Sequence, residues 1–170
     1  MARGSSLEVT GSVSRHPFLT ALAALAFLGL GAPLLAFVIV PNFVKSILVE
    51  DLPADPRWSG SPAIETVRQG EFVRISAADY GSGVIRIVRT GDDRFVRFED
   101  VDIAGAPDMY VYLSDRDDGK PGVFVDLGKL KATNGSFNYP IPASVDLAAV
   151  RSLVIWCRQF SVTITYATLR

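Results

Sequence analysis

From Arg151 to Ala167 the chain reads RSLVIWCRQFSVTITYA, two short runs rich in Val, Ile, Leu, Trp and Thr parted by the polar pair Arg158 and Gln159. β-Branched and aromatic residues suit the half-buried surface of a pleated sheet, so each run reads as a strand. Residues 153–156 are apolar at four consecutive positions. Both faces of that strand must then be covered, as they are in the middle of a sheet. Alternation places Leu153, Ile155 and Cys157 on one face and Val154 and Trp156 on the other. In the second run it predicts Val162, Ile164 and Tyr166 opposite Thr163 and Thr165.

The same texture continues toward the N-terminus in MYVYLS (109–114), GVFVDL (122–127), RFVRFEDV (94–101), GVIRIVRT (83–90) and EFVRISA (71–77), with turn residues between them. Val96 and Phe98 oppose Phe95, Arg97 and Glu99, and Tyr110 and Tyr112 oppose Met109, Val111 and Leu113. Tyr110 and Tyr112 suit core or cross-strand packing, or alternatively a stacking surface for a ligand. About seven strands without an amphipathic helix predict an all-β fold, an antiparallel β-sandwich or barrel-like domain over residues 63–170.

Ahead of that domain, residues 18–40 read FLTALAALAFLGLGAPLLAFVIV, a charge-free run. As a helix it is long enough to cross a hydrocarbon layer of about 30 Å. Gly29, Gly31 and Pro33 are tolerated in spanning helices, where neighbours and local adjustments satisfy the backbone. A cleavable signal would have a shorter apolar core and a small residue at each end of its cleavage motif, whereas Leu34 stands where one is wanted. A single transmembrane anchor is therefore expected, with the lipid bilayer as its partner. Arg3 and Arg15 precede it, and Lys45 after it is offset by Glu50, Asp51 and Asp55. The positive-inside rule leaves a cytoplasmic tail over residues 1–17 and places the β domain outside the cell membrane. Residues 41–62, rich in Pro, Asp and Ser and containing Trp58, read as a linker.

Charge and cysteine content narrow the function. A net charge of -1 offers no basic surplus for nucleic acid. With His16 the one histidine and Cys157 the one cysteine, the outer domain has no Ser-His-Asp or Cys-His pair, and no Cys/His zinc cluster is expected. The phosphate-cradling GxxxxGK[ST] pattern is absent. The acidic loop at residues 114–119 lacks the alternating ligands and distal Glu of a calcium loop and reads as a solvated turn.

Four segments carry a family resemblance: APDMYVYLS (106–114), DLGKLK (126–131), GSFNYPIP (135–142) and VIWCRQFSV (154–162). Their order and spacing resemble the DM13 domain over about residues 63–170. The resemblance implies a proposed electron-transfer role for the cysteine that follows the tryptophan, here Cys157, acting as a thiol or as ligand to a prosthetic group such as haem. Gln159 departs from the proline common at that place. A haem held by a thiolate usually takes a second ligand. Met109 is the one soft side chain left for it, although its place beside Val111 and Leu113 suits a core.

Two readings remain open at this point. One is a membrane-anchored redox module acting through Cys157 with an unidentified redox or protein partner. The other is a non-enzymatic binding or scaffolding module in which Cys157 packs. Because Arg158, Gln159 and Ser161 break the apolar run directly after it, Cys157 is expected near a strand end, as a partly accessible thiol at the rim of the domain.

Overall fold

A computed structural model describes residues 17–36, 45–52 and 64–170. The helical segment and the β part are separate units. In the first, α1 (Pro17–Ala26) passes into a π turn (Phe27–Gly31) and then α2 (Ala32–Leu34). Pro33 has no N–H to donate to the carbonyl four residues back, and a π turn is one way a helix absorbs such a gap. No helix among the described residues is long and apolar enough to cross a membrane. The last four residues of the predicted span, 37–40, lie outside the described residues, as do the tail 1–16 and Trp58.

Among the described residues the β part holds nine strands: β1 (Ile47–Val49), β2 (Glu65–Glu71), β3 (Gly81–Thr90), β4 (Asp93–Ile103), β5 (Met109–Ser114), β6 (Phe124–Lys129), β7 (Asn134–Pro140), β8 (Ser152–Cys157) and β9 (Val162–Thr168). They form a sheet of order β1-β7-β4-β3-β2 and a second of order β6-β5-β8-β9. All pairs are antiparallel except β1 with β7. One apolar core joins the inner faces: Ile85, Ile87, Val96, Phe98 and Phe137 from the first sheet meet Val111, Leu113, Leu153 and Ile155 from the second. Phe98 and Phe137 stack at 4.7 Å between ring centroids. The sheets meet along one seam, where Gln69 and Arg170 exchange backbone hydrogen bonds of 3.0 Å and Val73 N–H donates to Tyr166. This is the predicted β-sandwich with one corner drawn toward a barrel.

Three details depart from expectation. The strand predicted at residues 71–77 lies earlier, at β2, and beyond Phe72 the chain leaves its sheet to run beside β9. Residues 45–52, expected as linker, instead join the first sheet through β1. Gly135, at φ +108°, admits it, since a Cβ there would collide with the Leu48 carbonyl. In β9 the register shifts opposite Ile155 and Trp156, which leaves Ile164 as an extra residue. The bulge reverses the predicted alternation beyond it: Thr165 and Ala167 are fully buried, and Thr165 donates to the Val73 carbonyl at 2.8 Å.

Candidate functional site

β8 occupies the middle of its sheet, as its doubly apolar sequence requires, and Cys157 closes it. Core and outer faces alternate along β8 as predicted, so Cys157 follows Leu153 and Ile155 into the core. The expected accessible thiol is not what the structure places there: Cys157 is 0% exposed, and Sγ donates to the Pro107 carbonyl at 3.0 Å. The cause is the β4–β5 turn. Asp108 sits at φ +53° and accepts the Arg158 N–H, folding Pro107 over the strand end. The run of apolar residues ends at Arg158, yet the neighbouring turn covers what the strand leaves open.

Arg158 lies on the opposite face. Its Nε donates to Tyr112 Oη at 2.7 Å, its guanidinium stacks 3.4 Å from the Tyr110 centroid, and it pairs with Asp126. The Tyr112 bond, with Asp126 adding to it, holds the guanidinium above its usual range. Engaged in this way, Arg158 serves the outer face and leaves the sulfur to Pro107. Tyr112 also stacks on Phe124 at 4.1 Å and stands 6.4 Å from Tyr110, so the two tyrosines share the outer face as predicted. Sequence reasoning missed this cluster. Asp126 and Arg158 come together through pairings of β5 with β6 and β8 that no local pattern specifies.

The loop after β5 is solvated as read, with residues 115–118 exposed, and it also crosses the outer face. Ser152 Oγ donates to Arg116 O at 2.5 Å and Thr163 Oγ1 to Gly119 O at 2.6 Å. This strap explains why Val154, on the outer face of β8, is fully buried. Within the strap, Arg116 binds both carboxylate oxygens of Asp118 and holds that group well below the usual carboxylate range. No group of three or more metal-ligating side chains occurs among the described residues.

The DM13 family, described as an electron-transfer domain, matches residues 71–169. The chain belongs to the DM13 family. No curated protein and no solved structure matches it. The DM13 match spans the strands from β3 to β9 and includes both Cys157 and Met109, which are Cα partners across β8 and β5. Partners on adjacent strands project from one face side by side. A haem takes its axial ligands from opposite sides of the ring, and Cys157 is enclosed by packed core. The two residues therefore do not fit a haem held between them in this DM13 domain. The geometry offers a buried thiol one residue from Trp156, whose indole is half-buried.

Proposed function

We propose that this chain is a membrane-anchored electron-transfer module acting outside the cytoplasm, with the Cys157 thiol as its redox-active group. The observation that carries this reading is the DM13 match, which brings the chain's one thiol into a domain described as an electron-transfer one. The geometry suits outer-sphere exchange, because a partner resting near Trp156 lies one residue from the sulfur without touching it. A one-electron acceptor carried by the redox partner would be reduced by the electron from Sγ, leaving a neutral sulfur radical and releasing the thiol proton to solvent as the Pro107 turn opens. The anchor reading rests on the charge-free run and on the bare apolar side chains of its helix, among them Phe18, Leu25, Phe27 and Leu30.

Treating the full chain with a one-electron oxidant such as hexachloroiridate(IV), which becomes iridium(III), tests the thiol directly. A spin-trapped sulfur radical that disappears in Cys157→Ser is the expected result. A radical of unchanged yield in Cys157→Ser assigns the electron to an aromatic side chain and removes Cys157 from the function. One observation favours the scaffolding alternative, namely the complete burial of Cys157 against Pro107. On that reading the wild type yields no thiol radical.

A further inference from the structure

Beside Trp156 lies a cavity of about 580 Å³, within the range of small-molecule sites. Three segments that are distant in sequence build it: the chain after β2, the strap after β5, and the β8–β9 hairpin. We propose that this cavity binds the ring of a quinone-class carrier, a planar aromatic molecule with carbonyl oxygens on the ring. Its role as the electron partner of the domain rests on the electron-transfer reading above. Its binding does not.

The walls are apolar and aromatic. Trp156 and Tyr166 contribute rings, and Val73, Ile75 and Val162 are 40%, 47% and 41% exposed around them. Such walls favour a flat apolar ligand over a sugar or a peptide backbone. Two cations and the hydroxyls of Ser161 and Tyr166 can donate into the cavity. Lys120 and Arg74 line the cavity, whereas the lining carboxylate, Asp118, is already taken by Arg116 and by the Lys120 N–H. Lys120 Nζ is 4.0 Å from Asp118 and its side chain is 73% exposed, which leaves its ammonium hydrogens available. With the Asp118 carboxylate engaged and the Lys120 ammonium available, the cavity favours a ligand whose polar atoms accept, and ring carbonyls do so without the desolvation cost of a charge.

The site is also preformed. Gly119, at φ +78°, lies so close to Tyr166 that a Cβ would stand 2.6 Å from its ring, and Thr163 bonds the Gly119 carbonyl. Arg74 is held over Tyr80 at 4.6 Å. The strap and Arg74 are thus set before a ligand enters, and preorganisation of this kind favours affinity.

Calorimetric titration of the full chain in detergent with 9,10-anthraquinone-2-sulfonate, against anthracene-2-sulfonate as the analogue without ring oxygens, tests the assignment. Saturable one-to-one binding of the quinone is expected, with the anthracene weaker by about tenfold. Lys120→Ala should weaken the quinone several-fold, and Val162→Trp, at a surface position that tolerates bulk, should block it. The proposal is overturned if the quinone shows no saturable binding above the detergent blank, if the anthracene binds equally well, or if both variants bind like wild type. Binding without a Cys157 radical would sustain the cavity and sink the redox reading, and a radical without binding would do the reverse.

Discussion

Cys157 carries one hydrogen bond, to a backbone carbonyl, and is sealed by a turn rather than by a second strand. Reagents reach it only when that turn or the whole domain opens. Labelling by a disulfide reagent should accordingly be slow in the native protein and accelerate with urea. Rapid labelling at zero urea would contradict the burial. Cys157→Ala removes the sulfur and leaves the Pro107 carbonyl unpartnered, at an expected cost of about 2 kcal/mol in urea unfolding. Gly119 offers a second check. Its positive φ and the Tyr166 ring leave no room for a side chain, so Gly119→Ala should lower the thermal midpoint by several degrees. At this scale the sequence reads well where faces alternate: Tyr110, Tyr112 and the core side of β8 stand where alternation puts them. The closure over Cys157 was not legible, because it depends on Pro107, fifty residues earlier in the chain.

Strands were legible where their residues are apolar and hidden where they are not. β8 announces itself by four apolar residues, whereas β2 (ETVRQGE) and β7 (NGSFNYP) are edge-like or polar in composition and gain their place from partners. The bulge at Ile164 shows the same limit, since a single extra residue turns a correct strand assignment into the wrong face for Thr165. β1 is the most instructive element, for it is three residues long and held chiefly by what flanks it. Lys45 pairs with Asp102 at 2.9 Å, and Glu50 accepts from the Asn138 N–H at 2.8 Å and from Lys131 Nζ at 3.0 Å. Partial burial disfavours the Glu50 charge, but the Asn138 and Lys131 contacts outweigh it and hold the carboxyl below its usual range. A depressed folded value means that Glu50 contributes stability at neutral pH, a contribution lost as pH falls through that value. Glu50→Gln should cost about 1 kcal/mol at pH 7, allowing for solvent screening. The gap to wild type should close in acid, and a gap of constant size from pH 7 to pH 3 would assign the effect to packing.

At the scale of the whole chain, two units of opposite character follow one another: a helical run with bare apolar side chains and a β-sandwich with its own core. The change in composition between them is plain in the sequence, and the placement of β1 within the sandwich is not. Orientation can be read chemically from the distribution of amines. Every lysine, Lys45, Lys120, Lys129 and Lys131, follows the apolar run, and residues 1–17 contain none. Lys120 and Lys129 are 73% and 71% exposed, which makes them ready targets. With the positive charges Arg3 and Arg15 kept inside, a membrane-impermeant amine reagent applied to intact cells should modify Lys120 and Lys129. Peptide mapping distinguishes the alternatives, since Lys120 and Lys129 that react only after the cells are lysed would reverse the orientation. The same mass spectra report on the anchor: a mature chain beginning near residue 37 would show the run to be a cleaved signal, whereas recovery of peptides from residues 1–17 in the washed membrane fraction is the result expected of a retained helix.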